Sequence, residues 1–151
     1  MQNIFDAKVA QEYINRINNL TPETQRKWGK MSVDQVLAHL NVAYETIYEP
    51  EKHPKPGFIA GFLLKNFVKA KTVNELPYKQ NLPTGPMFLI KGNKDFETEK
   101  KRLIGFIQKT QQLGKEAFDG KMSHSFGKLS AQEWNNMLAK HLNHHLDQFG
   151  V

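Results

Sequence analysis

The chain has no cysteine among its 151 residues. That excludes disulfides, thiolate metal ligands and a cysteine nucleophile, so a transition metal would have to be held by His, Asp or Glu. Long apolar runs are also missing. The longest, Phe58 to Leu64 with two embedded small residues, is far shorter than the ~20 residues a membrane span needs. Residues Met1 to Ala10 alternate polar and apolar and contain no hydrophobic segment of a secretory signal. A cytoplasmic, soluble protein with no membrane partner is the expectation. No Gly-rich phosphate loop and no Gly-x-Ser-x-Gly elbow occurs. Internal repeats and low-complexity linkers are absent as well.

What is present suits one domain covering residues 1–151, long enough to bury a core. An apolar fraction of 39% with 11% aromatics argues against disorder. The formal charge is +6 and the sequence pI is near 9.5, which can favour nucleic acid, anionic membrane or an acidic substrate. The lysines are scattered among acids, as in Glu97-Thr98-Glu99-Lys100-Lys101-Arg102. This reads as a solvated lysine-rich surface, with no dense basic block to mark nucleic acid as the partner.

Apolar residues recur at three- and four-residue steps, which predicts an all-α fold. A first helix is expected over Asp6 to Asn19. Thr21-Pro22 resembles an N-cap with proline at the first helical position, predicting a short helix toward Trp28 that Gly29 ends. Ser32 and Gln35 form a capping-box pair that opens a second long helix to about Tyr48. A third helix is expected over Phe58 to Ala70; Gly57 and Gly61 with Phe58 and Phe62 suit a membrane-lying segment, but close helix packing is the preferred reading of the glycines. Leu76 to Pro86, with three prolines and a glycine, predicts a long loop crossing the end of the bundle. A fourth helix should cover Lys94 to Leu113, Phe118 to Gly127 should be loop, and Ser130 with Glu133 should cap a last helix reaching about Phe149.

That last helix carries the chemistry. Lys140-His141-Leu142-Asn143-His144-His145-Leu146-Asp147-Gln148 packs three of the six histidines into five residues. Trp134, Leu138, His141, His145 and Gln148 follow a four-three-four-three spacing, an inward seam on a helix. Two imidazoles thus stand where leucines are expected, one turn apart on one face, with His144 to the side. Buried imidazoles cost free energy unless something satisfies them, and a metal ion would do so. His39, at the edge of the second helix's apolar stripe, is the candidate third ligand. A set of His39, His141 and His145 leaves a coordination position open. His53, between prolines, is expected to be exposed, and His124 to help cap the last helix. Glu133 and Asp147 are candidates to orient an imidazole.

Ser32-Val33-Asp34-Gln35-Val36-Leu37-Ala38-His39-Leu40 resembles the second-helix motif of the DinB-like (YfiT-like) superfamily of metalloenzymes. Phe126-Gly127-Lys128-Leu129, Trp134 and Lys140-His141-x-x-His144-His145-Leu146-x-Gln148-Phe149 are similar to an uncharacterised branch of it. The resemblance spans nearly the whole chain. It implies a four-helix bundle, ordered up-down-down-up, with additional short helices and long loops. It also implies a divalent metal, zinc or nickel first, on His39, His141 and His145. Ser125 stands where branch members often carry a proline. Relatives include thiol-dependent transferases, an isomerase and metal-dependent hydrolases.

The function expected is therefore that of a metal-dependent enzyme, a thiol-dependent transferase or a hydrolase. Its substrate would be a small molecule, with a low-molecular-weight thiol as cosubstrate because the chain has no cysteine of its own. A homodimer is expected for a bundle of this size. The alternative is a non-catalytic binding module, with nucleic acid as the partner its charge would suit.

Overall fold

The computed structural model describes residues 2–151. Four long helices form its frame: α1 (Ala7–Asn18), α2 (Val33–Tyr48), α5 (Phe96–Leu113) and α6 (Ala131–Gln148). Two short ones, α3 (Phe58–Leu63) and α4 (Lys69–Val73), are joined by a π-helical stretch, Leu64–Val68. Single 3-10 turns lie at Pro50–Lys52, Pro86–Phe88 and Lys115–Ala117.

Each long helix starts where a side chain satisfies its free N–H groups. Asp6 accepts from the backbone of Lys8 (2.9 Å) and Val9 (3.2 Å). Gln35 reaches back to the Ser32 N–H (3.1 Å), and Asp95 accepts from Thr98 (2.8 Å). Ser130 and Glu133 bond reciprocally, at 3.2 and 2.9 Å. α5 stops at Gly114, whose φ of +71° leaves the helical region.

The helices α1 and α2 each pack on both α5 and α6. Their apolar stripes meet in one core, with Tyr13 and Ile17 from α1, Leu37 and Leu40 from α2, Leu103 and Ile107 from α5, and Leu142 and Leu146 from α6. Full burial of each such aliphatic side chain contributes roughly 1.5–3 kcal/mol. A smaller cluster of Phe118, Leu129 and Trp134 lies at the start of α6.

Three segments differ from the sequence-based expectation. Thr21 to Trp28 is not helical. The Thr24 hydroxyl accepts from the Thr21 N–H at 2.8 Å. Further on, the Lys27 N–H donates to the Gln148 carbonyl at 2.7 Å and the Trp28 carbonyl accepts from the Gln148 side chain at 2.7 Å. Backbone groups that a helix would have paired internally are spent on the end of α6.

Residues 118–127 are not simply loop, so the fold is mostly helical and not wholly α. Lys121–Ser123 (β1) pairs antiparallel with Gly127–Leu129 (β2), in the register Lys121–Leu129, Met122–Lys128, Ser123–Gly127. The Ser123 hydroxyl closes the turn by accepting from Phe126 N–H at 2.8 Å, and Gly127 takes a left-handed φ of +75°. Thirdly, Gly57 and Gly61 are not packing sites: a Cβ at Gly57 would meet nothing within 4 Å, and one at Gly61 only the Pro56 carbonyl oxygen at 3.9 Å.

Polar residues on the buried side of α6 tie down the irregular segments. Asn135 accepts from the Ile4 N–H (2.8 Å) and donates to the Gln2 carbonyl (3.0 Å). Asn136 donates to the Val73 carbonyl (2.9 Å). The Lys140 ammonium donates to the Lys71 carbonyl (2.9 Å) and the Asn74 side chain (2.7 Å).

Candidate metal centre

The core faces of α2 and α6 bring His39, His141 and His145 together. One ligand nitrogen from each lies within 4.8 Å of the other two. The ring centroids are 4.9 Å (His39–His141), 4.6 Å (His39–His145) and 5.0 Å (His141–His145) apart, each pair steeply tilted. The Nε2 atoms of His39 and His141 stand 2.9 Å apart. Imidazole nitrogens sharing one ion stand roughly 3.0–3.4 Å apart in tetrahedral or octahedral geometry, so small side-chain adjustments suffice. Three neutral imidazoles are a donor set suited to a divalent transition metal.

Two of the rings have fixed tautomers. His39 Nδ1 lies 2.9 Å from the Phe88 carbonyl, which can only accept, so Nδ1 carries the proton. His145 Nδ1 lies 2.8 Å from Gln148 Oε1. The Gln148 amide cannot be reversed, because its NH2 donates to the Trp28 carbonyl at 2.7 Å. Both rings therefore hold their protons on Nδ1 and leave an Nε2 lone pair for the cluster. Outer hydrogen bonds of this kind orient imidazole ligands and raise their basicity.

Electrostatics keep the trio neutral. Burial pushes His39 below its ordinary value, against the hydrogen bond to Phe88 and with the help of His144 nearby. Burial and then the neighbouring imidazoles push His141 well below. His145 falls to about 3, mainly through burial and then through His39. His39 and His145 are buried, and His141 keeps partial exposure. Phe88, on the long loop between α4 and α5, covers both His39 and His141, with ring centroids at 5.4 and 6.0 Å.

The remaining histidines are not part of this ligand set. His144 borders it, its ring 4.9 Å from that of His145 and between Trp28 (6.0 Å) and Tyr78 (5.8 Å). The expectation that His53 is exposed is wrong: its Nε2 is 2.7 Å from the Glu45 carboxylate, and only 14% of the side chain is accessible. The same carboxylate pairs with Arg102. His124 does not cap α6. It donates from Nε2 to the His53 carbonyl at 3.2 Å. Neither acidic candidate orients a ring: Asp147 pairs with Arg16 at 2.7 Å, and Glu133 caps Ser130 and pairs with Lys69 at 3.0 Å.

The orienting groups are Gln148 and the Phe88 carbonyl. Gln148 was visible in the sequence as a polar residue on the seam, without a role. The Phe88 carbonyl carries no side-chain signal and depends on the path of a loop. Among the described residues, the three histidines are the one group of His, Asp or Glu side chains spaced to share an ion.

No curated protein and no solved structure matches this chain. A family model does match, over residues 4–150, and its description is a protein of unknown function, DUF1569. That span takes in α1 through α6 and all three histidines, and the chain belongs to the DUF1569 family.

Proposed function

We propose that this protein is a metal-dependent enzyme that holds one divalent cation, zinc or nickel first, on His39, His141 and His145. The observation that carries the reading is the pair of pinned tautomers: the Phe88 carbonyl and Gln148 hold the outer N–H of His39 and His145, so both rings present an unprotonated Nε2 to one cluster with His141. Within the chain alone a His141 N–H can serve His39 Nε2 at 2.9 Å, whereas one cation would serve all three nitrogens at once.

When bound, the cation supplies Lewis acidity, and a water or thiol in its open position becomes more acidic. The chain's own part is to hold the three nitrogens, to exclude bulk water and to keep protons off them. Phe88 shields two of the rings from one side, while the partial exposure of His141 leaves a way in from solvent. A thiol-transfer reaction would take its thiol from a small cosubstrate, since the chain contributes none. Hydrolysis of a small-molecule substrate is the other reaction of this reading.

We also assign the chain to the DinB-like bundles. The support is one histidine on the second long structural helix facing two on the last, within four long helices sharing a core. A cytoplasmic location and a homodimer remain parts of this proposal.

The test is metal content by plasma mass spectrometry on tag-free protein, wild type beside His39→Ala, His141→Ala and His145→Ala. One ion per chain in the wild type, lost in each variant, is expected. Equal metal in all four, or none in the wild type after adding zinc or nickel, rejects the site. Loaded protein would then be screened for thiol transfer and for hydrolysis.

A further inference from the structure

The segment Phe58–Val73 is amphipathic in the inverted sense. Its largest apolar side chains face solvent: Phe58 is 92% exposed, Ile59 75%, Phe62 58% and Phe67 65%, with Leu63 and Val68 at 49% and 40%. At roughly 200 Å² for a whole aromatic side chain and somewhat less for an aliphatic one, this amounts to on the order of 700 Å² of apolar surface on one short element. Monomers rarely leave a contiguous patch of more than about 300–600 Å². The side toward the body is held by polar contacts instead: Lys69 pairs with Glu133 (3.0 Å), the Lys71 carbonyl accepts from Lys140, and Lys65 lies against Gly127 of the hairpin.

Helical spacing sets Phe58, Ile59, Phe62 and Leu63 on one side of α3, and the exposed Phe67, Lys65 and Lys71 follow in the π-helical stretch and α4, the Lys65 stem passing close to Gly127. Lys55 precedes the segment, and Lys128 of β2 is exposed near its inner side, its carbonyl 3.5 Å from Lys69 Nζ. An apolar stripe bordered by lysines matches a surface whose interior is hydrocarbon and whose rim is negative. A second copy matches it less well, because pairing two such stripes brings their lysine margins together on chains that each carry a formal +6.

We propose that Phe58–Val73 is a docking element for an anionic lipid bilayer, lying in its interfacial plane with the phenylalanines inserted and the lysines at the headgroups. The element is far too short to cross the membrane, and among the described residues no helix is long and apolar enough to do so. The attachment is peripheral and reversible. It is independent of the metal site.

The experiment is co-sedimentation of the intact protein with vesicles of phosphatidylcholine alone and with vesicles one third phosphatidylglycerol, beside the sedimentation mass in free solution. The wild type is expected to pellet with the anionic vesicles and to be released by salt. Phe58→Ser/Phe62→Ser and Lys65→Glu/Lys71→Glu should each reduce the bound fraction about tenfold. Thermal unfolding checks that both variants fold, as the altered serine positions are solvent-exposed. The proposal is overturned by no binding, by equal binding to neutral vesicles, or by binding that survives the serine variant. A wild-type dimer that the serine variant splits, without vesicle binding, assigns the stripe to a second copy and overturns it too.

Discussion

Gln148→Leu separates the histidines' positions from their electronic state. The Gln148 side chain accepts from His145 Nδ1 at 2.8 Å and donates to the Trp28 carbonyl at 2.7 Å. Leucine keeps the bulk and removes both bonds. A buried polar group left without a partner costs about 1–3 kcal/mol, so two such groups predict a loss of roughly 2–5 kcal/mol in unfolding free energy. The imidazole also loses the acceptor that fixes its proton on Nδ1. Disturbing an outer partner of a metal-bound histidine typically weakens metal binding 10–100-fold, and a loss of that size is expected here. Gln148→Glu is the companion variant. Its carboxylate still accepts from His145, but it cannot donate to the Trp28 carbonyl. It should destabilise the chain while keeping zinc affinity within a few-fold of wild type. Affinity is read by competition with a chromophoric chelator, and stability by urea unfolding of the metal-free protein. Wild-type affinity in the leucine variant would refute the tautomer argument, whatever its stability.

Other predictions follow from neighbouring contacts. Gly29 has φ +83°, and a Cβ there would stand 2.3 Å from Gln148 Nε2; Gly29→Ala should therefore lower metal affinity at a distance, in the same direction as Gln148→Leu, and unchanged affinity would disprove the link. The Glu45 carboxyl is raised by burial, but hydrogen bonds from Arg102 and then His53 more than offset this and hold it below its ordinary value. In the unfolded chain Glu45 binds its proton at higher pH than in the fold, so the stability it contributes is full above about pH 4.5 and disappears as pH falls through the folded value. Urea midpoints across that acid range should drop less steeply in Glu45→Gln than in wild type, and parallel curves would contradict this. Phe88→Ala removes the ring over His39 and His141 but leaves the backbone carbonyl; metal release to excess chelator should quicken several-fold with affinity within about threefold, and an unchanged release rate would mean the ring is no barrier.

Local rules carried the long helices. The capping pairs Ser32–Gln35 and Ser130–Glu133 are short-range signals, and α2 and α6 start beside them. The inward turn of His141 and His145 was readable because a seam of period near 3.5 has no place for imidazoles without a reason. Failures occurred where a distant partner outbid local preference. Thr21-Pro22 is a sound helix opening, yet Gln148 claims the backbone of Lys27 and Trp28 from the other end of the chain. Residues 121–129 are too few for strand periodicity to emerge, and their pairing rests on the turn at Ser123–Phe126. His53 reads as a surface residue between prolines, because nothing near it in sequence reveals that Glu45 and Arg102 form a partly buried ion pair beside it. The glycines at 57 and 61 suggested a tight contact that no helix makes.

The hold on His39 comes from the main chain of Phe88, at 2.9 Å, and from no side chain. Any residue type at position 88 brings the same oxygen, so a scan of metal affinity that replaces residues one at a time would pass over this contact. The quantity that matters is the length of chain between Val73 and Phe96, which decides where that oxygen arrives. Insertion or deletion of a single residue there would move it by about 3.8 Å, the span of one peptide unit, and free the imidazole to exchange tautomers. Redesign of this loop can therefore vary its composition widely while its residue count stays fixed.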